Sequence, residues 1–340
     1  MTAGRATWQL VLAAALLVAL GTALLGEAVV RSQGYAPWPP PVPPTVEPGG
    51  RLFRADAALG YTHLPGRYTV TLPGGYRFQM THRQDTLRVT QPAARYAGAD
   101  VRPQVWVFGC SLTHGWSVND DQTYVWQLQR RFPEYEFVNF GVNGYGTLHS
   151  LIQLRAALAT RRPALVLLAY ASFHDVRNTY LRQRRKETSP WRTLGPLRQP
   201  VARLDKAGRL AITMEEAVLT PFPLITHSAL SHFLEQAYNR LEVALTPSNA
   251  VSRAIIAEMA AVARAHDVPF ALGYIWERPF MDDLTAELGI DALDLAVDLT
   301  VPGNSNEPYD PHPSARAHGE YAARVATWIG AAEVPRSRQP

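Results

Sequence analysis

The sequence predicts an α/β fold, doubly wound around a parallel sheet. Two observations carry that expectation. From about residue 101 to 330, short apolar runs rich in β-branched and aromatic residues alternate with stretches of helical periodicity. Such alternation gives parallel strands joined by right-handed crossovers. One of these runs, Ala164 to Tyr170 (ALVLLAY), carries no polar side chain before its final tyrosine, as a strand buried on both faces requires. A serine, Ser111, follows the first of these strands, where open α/β sheets bind their ligands.

Trp8 to Gly26 is almost continuously apolar, interrupted only by Gln9 and Thr22, and Arg5 precedes it. About 20 such residues cross a bilayer as a helix, and the run exceeds the usual 7–15 residues of a cleaved signal core. An uncleaved N-terminal transmembrane segment or signal anchor over 1–30 is therefore expected. Small residues near Gly26 and Ala28 leave cleavage open. An export-type start places the globular part outside the cytoplasmic membrane, on the periplasmic or extracellular side.

A linker over 31–50 follows, with Pro37 to Pro48 so rich in proline that neither helix nor sheet is expected there. Residues 51–100 read as a small β-rich entry segment, with Tyr68–Leu72 and Leu87–Thr90 as strands and Pro73-Gly74-Gly75 as a turn.

In the main region, 101–330, strand Val105–Phe108 precedes helix Thr123–Arg131, and strand Glu136–Asn139 precedes helix Leu148–Ala159. Strands are expected again at Val268–Tyr274 and near Ala292–Val297, with a last helix from Ser314 to Ile329. The alternation lapses between about 176 and 247. That insertion holds a hairpin around Lys206–Gly208 and an amphipathic helix through Leu230, Leu234, Ala237 and Leu241. It reads either as a lid or as a plain cover.

The 340 residues are 47% hydrophobic and 18% charged, with a net charge of +4. The positive charge is scattered apart from Arg182–Lys186, which reads as a solvated face rather than a phosphate site. No basic stripe or nucleic-acid motif is present, so no nucleic-acid partner is expected. The single cysteine, Cys110, excludes an internal disulfide and reads as a packed small side chain. No Cys/His cluster suggests zinc, and no metal or organic cofactor is expected.

Four blocks carry chemistry. They are Gly109-Cys110-Ser111-Leu112-Thr113-His114-Gly115, Asn139 to Thr147 with its glycines, Ser172-Phe173-His174-Asp175, and Tyr309-Asp310-Pro311-His312-Pro313. All fall beside strand ends or before the last helix. A serine hydroxyl is a weak nucleophile and needs a base and an oxyanion site. His114 and His318 read as non-catalytic, and Trp116, Tyr145 and Trp276 as core or pocket wall.

These blocks and their order resemble the SGNH (GDSL-like) hydrolase family, in particular bacterial envelope members with an N-terminal membrane segment. Asp56 to Tyr61 resembles the entry segment of those proteins. The family reads Gly-Asp-Ser where this chain has Gly109-Cys110-Ser111. The resemblance implies a flavodoxin-like three-layer α/β/α sandwich. It implies Ser111 as nucleophile, His312 as base and Asp310 as the residue holding the imidazole tautomer. Asp310 is two residues before the histidine rather than three, and Asn306 and Glu307 are alternatives. Backbone N–H groups of Ser111 and Gly144 would line the oxyanion hole. His174, where the family has asparagine, would be the third donor. The function expected is a serine esterase or deacylase acting on an acylated small molecule, lipid or glycan. Two alternatives stand beside it. One is an O-acyltransferase acting on an envelope glycan; the other is an inactive SGNH-fold binding or assembly protein. Nothing in the sequence fixes the oligomeric state.

Overall fold

The computed structural model describes residues 2–96, 102–195, 197–277 and 282–331. The expected boundary at residues 100 and 101 lies outside them. In chain order the elements are α1 (Thr2–Ser32), β1 (Thr45–Glu47), β2 (Phe53–Asp56), β3 (Gly60–His63), β4 (Gly66–Thr71) and β5 (Arg77–His82). Next come β6 (Gln104–Phe108), α2 (Ser111–His114), α3 (Tyr124–Arg131), β7 (Glu136–Asn139), α4 (Thr147–Leu158) and β8 (Leu165–Tyr170). They are followed by α5 (His174–Asn178), α6 (Arg182–Thr188), β9 (Arg198–Leu204), β10 (Leu210–Glu216), α7 (Ala229–Leu245) and α8 (Ser248–Ala265). The last are β11 (Phe270–Tyr274), α9 (Asp282–Leu288), β12 (Asp291–Asp294), β13 (Ser305–Asn306), β14 (Asp310–Pro313) and α10 (Ala315–Ala331). The chain divides into two compact units, Met1–Val42 with Val218–Thr246, and Pro43–Ala217 with Pro247–Pro340.

The larger unit is built on a five-stranded sheet in the order β7-β6-β8-β11-β12, every pairing parallel. Counted along the chain this is 2-1-3-4-5, the flavodoxin-like order, with its switch point between β6 and β8. Trp106 lies opposite Val138 on one side and Val166 on the other. Side chains alternate across the sheet. Trp106, Phe108, Val166, Leu168 and Leu272 join Leu148, Leu151 and Leu154 of α4 and Val251, Ile255 and Met259 of α8 in one core. Val105, Val107, Leu165, Leu167 and Ala271 join Tyr124, Val125 and Leu128 of α3 and Tyr321 and Val325 of α10 in the other. The fold is therefore a three-layer α/β/α sandwich.

Three local expectations change. Leu87–Thr90 is not a strand: Arg88 makes only isolated bridges, to His82 and Asn139, because its side chain is drawn into the loop at 114–118. Thr45-Val46-Glu47, inside the proline-rich segment, is a strand. It forms one edge of the three-stranded sheet β1-β4-β5, with Val46 opposite Val70 and buried. These three residues carry no proline, and the flanking prolines need no partner at an edge. The last sheet strand stops at Asp294 rather than Val297, because the Asp294 carboxylate accepts the Ala296 N–H at 3.0 Å and turns the chain. The hairpin forms where expected: Leu204 pairs with Leu210, and Asp205 caps the turn through the N–H groups of Ala207 and Arg209.

In the smaller unit, α1 is long and apolar enough to cross a membrane by length and composition, with mean hydropathy 2.2 over an 18-residue window of Trp8–Ser32. The first turn of α7 is capped twice. Ser228 Oγ accepts from the Ser231 N–H at 3.0 Å, and the Glu27 carboxylate of α1 accepts from the N–H groups of Ala229 and Leu230, each at 2.9 Å.

Candidate active site

The chain leaves β6 through Gly109 and Cys110 and enters α2 at Ser111, a helix that closes after one turn on left-handed Gly115. Ser111 thus stands at the carboxyl edge of the sheet, almost fully buried. β14 pairs with β13 and presents Asp310 and His312. His312 Nε2 lies 3.0 Å from Ser111 Oγ, and His312 Nδ1 lies 2.6 Å from Asp310 Oδ1. The imidazole is 29% exposed and so open to a substrate.

Asp310 is held from several sides. Its Oδ1 also accepts the His312 backbone N–H at 2.8 Å and the Ser117 hydroxyl at 3.3 Å, while Oδ2 accepts the Trp116 indole N–H at 3.2 Å. Burial raises the Asp310 carboxyl, but the hydrogen bonds and charge of His312, with Trp116, outweigh this and hold it below the usual carboxylate range. It is a carboxylate wherever the enzyme would work. Ser117 sits at φ +61°, a left-handed conformation that costs a non-glycine residue about 1–3 kcal/mol. Asn306 fixes it there, donating to Ser117 O at 3.0 Å and Ser117 Oγ at 2.8 Å.

The loop carrying Trp116 and Ser117 hangs on Arg88. That guanidinium is buried and donates to the carbonyls of His114, Gly115 and Val118, to Gln79 O, and to Asp120 at 3.1 Å. Burial pulls its pKa down, and the Asp120 carboxylate opposes this. Replacing Arg88 by Met removes these hydrogen bonds and leaves buried carbonyls unpaired. A loss of about 3–5 kcal/mol is expected in urea unfolding; a loss under about 1 kcal/mol would show that water replaces the guanidinium.

After β7, Asn139 ties the next loop to the serine turn: its Nδ2 donates to Thr113 O and its Oδ1 accepts from the Gly141 N–H, both at 2.9 Å. The carbonyls of the loop are tied back in turn. Asn143 O accepts from Tyr61 OH at 2.8 Å, Gly144 O from Arg184 at 2.6 Å and Tyr145 O from Arg177 at 3.0 Å. Because a trans peptide points its N–H away from its carbonyl, Tyr61 fixes the direction of the Gly144 N–H. Gly144 has φ +78°, and a Cβ there would meet Tyr61 OH at 2.6 Å, so no other residue fits. Arg184 corrects the reading of 182–186 as a wholly solvated face. It is buried because Tyr61 OH and Gly144 O accept its donors.

His174 is fully buried at the start of α5. Its Nδ1 lies 3.2 Å from Thr147 Oγ1, and its Nε2 has no hydrogen-bond partner among the described residues. Desolvation and the Arg177 charge keep its pKa well below that of a free imidazole, so the ring is neutral. Cys110 is buried in the core. Tyr145 is buried, its hydroxyl on Tyr61 O, and His318 accepts the Tyr124 N–H at 3.2 Å. Trp276 is partly exposed and packs edge-on against Phe173.

His63, His82 and His114 cluster beneath the serine turn with ring nitrogens within 4.8 Å of one another. The rings of His63 and His82 lie stacked at 4.1 Å and 11°. A metal binds in the plane of an imidazole, and two parallel stacked planes do not converge on one ion. The trio is a stack of neutral rings, with His82 and His114 sharing one hydrogen bond at 2.9 Å between their Nε2 atoms. A cavity of about 580 Å³ opens on the β4–β5 face beside Asn119 and Asp120 and includes neither Ser111 nor His312.

Fold and site together define a doubly wound α/β protein with a Ser–His–Asp array at the carboxyl edge of its sheet. No sequence-family model matches the chain, and no curated protein matches it in sequence. Solved structures similar to it are esterases and lipolytic hydrolases of the G-D-S-L type. TesA is 16% identical, with a TM-score of 0.39, covering 67% of this chain and 98% of that one. The psychrotrophic esterase EstA from Pseudoalteromonas sp. is 11% identical, with a TM-score of 0.40 and the same coverage. A lipolytic G-D-S-L family protein from Veillonella parvula is 11% identical, with a TM-score of 0.38, again over 67% and 98%. The fold is fixed by this chain's own strand order.

Proposed function

We propose that this chain is a membrane-anchored serine esterase or deacylase of the SGNH type, hydrolysing an O-acyl ester. The observation that carries the reading is the continuous path from Ser111 Oγ through His312 to Asp310, at 3.0 and 2.6 Å. Ser111 Oγ attacks the acyl carbonyl carbon while His312 Nε2 takes the hydroxyl proton. The carbonyl oxygen becomes an oxyanion facing the N–H groups of Ser111 and Gly144. Collapse expels the alcohol, which takes the proton back from His312. Water then enters by the same route and releases the acid. Asp310 holds the Nδ1–H tautomer and stabilises the imidazolium.

His174 supplies the third donor. With Nδ1 accepting the Thr147 hydroxyl proton, the ring proton lies on Nε2, the atom left without a partner. His174→Ala should lower kcat by about 10²- to 10³-fold, the usual cost of one oxyanion donor, and His174→Asn should retain most activity. Equal collapse in both variants would assign the ring a packing role instead. The primary test is labelling of the full-length protein with a fluorophosphonate ester. One adduct on the Ser111 peptide is expected; labelling elsewhere, or none, would remove Ser111 as nucleophile.

Residues just past the apolar run support the anchor reading. A cut after Ala28 would remove Glu27, which caps α7, and with it the ion pair to Arg31 at 2.6 Å. The mature protein should therefore have the mass of the uncut chain. A mass lacking residues 1–26 or 1–28 would make the segment a signal peptide.

A further inference from the structure

We infer that α7 lies on a lipid bilayer through one apolar stripe, making it a second, in-plane membrane contact beside the α1 span. The inference rests on the anchor reading above and goes beyond it. Leu230, Leu234, Tyr238, Leu241 and Leu245 recur at four- and three-residue steps, so they share one face of α7. Beyond Leu230 that face is bare: Leu241 is 55% exposed and Leu245 75%. Uncovered apolar stripes of this kind mark interaction surfaces.

The occupant is identified by where the stripe begins. Leu230 packs on Gly26, its Cδ2 3.1 Å from where a Cβ on that glycine would stand. Gly26 is also the last residue of the apolar run, so the stripe starts at the level where α1 leaves the hydrocarbon. Glu27, one residue on, fixes the first turn of α7 at that level through the Ala229 and Leu230 N–H groups. From Trp8 to Leu25 the large side chains of α1 remain exposed, so α7 turns away from the span rather than running along it. Tyr35 meets Phe233 of α7 edge-on at 4.9 Å, and aromatic residues are enriched at membrane interfaces.

A second observation adds to the stripe. Leu224, just before α7, is held at φ +55° with 71% of its surface exposed. Nearby, Phe222 touches Tyr238 of the stripe at 6.0 Å. A strained backbone that presents a leucine outward beside an apolar helix face serves contact, not packing. A helix of this kind sinks about 5–10 Å into the headgroup region.

The test uses the full-length protein in phosphatidylcholine–phosphatidylglycerol vesicles. Single spin labels are placed through Leu241→Cys, Leu245→Cys and, on the polar side, Arg240→Cys. The native Cys110 is buried, and the unsubstituted protein serves as its labelling control. Collision with oxygen relative to a water-soluble nickel chelate should be severalfold higher at 241 and 245 than at 240. Three equally aqueous labels on protein that floats with the vesicles would overturn the α7 contact while leaving the anchor intact. Spin–spin broadening at 241 and 245 would also overturn it, by showing a second copy on the stripe. Protein that does not float would remove the anchor, and this inference with it.

Discussion

Ser111→Ala should abolish ester hydrolysis while leaving the fold unchanged. The substitution removes one oxygen and one hydrogen bond, to His312 Nε2, from a site whose other contacts run through the backbone. Loss of a serine nucleophile costs on the order of 10⁴- to 10⁶-fold in kcat. Thermal unfolding of the variant should match the parent within a degree or two. Asp310→Asn should cost about 10⁴-fold for a different reason: an amide can hold the wrong imidazole tautomer, so Nε2 no longer accepts the serine proton. Both are measured on short-chain aryl esters at pH 7 or above. Full turnover by the alanine variant would mean that another group attacks, and the proposal would fail.

The residues that position this chemistry were far less legible than the residues proposed to perform it. Ser111 and His174 stand out because each falls in a short block beside a strand end, readable from an apolar run, and Asp310 and His312 because they fall in a short block before the last helix. Arg88, Tyr61, Asn306 and Ser117 carry no such mark. They act on backbone carbonyls or on one another across long stretches of chain, as when Arg88 collects the carbonyls of residues 114, 115 and 118. A tyrosine or arginine in a polar segment shows none of this until the chain has folded. Arg184 was hidden further by its charged neighbours. The central strands were readable because burial on both faces forces apolar runs, whereas their order came only with the fold, and β1 was masked by prolines that stop beside it without entering it. Trp116 reads as pocket wall from its aromatic character alone; its indole N–H on Asp310 is a tertiary fact.

Acid should unfold this protein unusually early, about one to one and a half pH units below 6.5. Of the ten histidines, six are buried: His63, His82, His114, His149, His174 and His318. Burial lowers the pKa of every one, to about 3 for His82, His149 and His318. The folded chain keeps these rings neutral while the unfolded chain protonates them near 6.5. Above 6.5 both states are neutral and the rings contribute no pH dependence. Below it the unfolded state binds more protons, so stability falls as pH falls, and the slope persists until the folded rings themselves protonate, near 3 for His82, His149 and His318. Each ring contributes up to about 1.36 kcal/mol per pH unit, about 8 kcal/mol for six, against a total stability of about 5–15 kcal/mol. Circular dichroism against pH, with proton uptake measured across the transition, reads this directly. His63→Phe isolates one ring. Its two nitrogens have no partner among the described residues and it stacks on Phe53 at 4.9 Å, so the phenyl loses no hydrogen bond. The variant should unfold at lower pH than the parent, with one fewer proton taken up. A parent still folded at pH 4 would show that these rings accept protons inside the native structure, and that the space around them admits water.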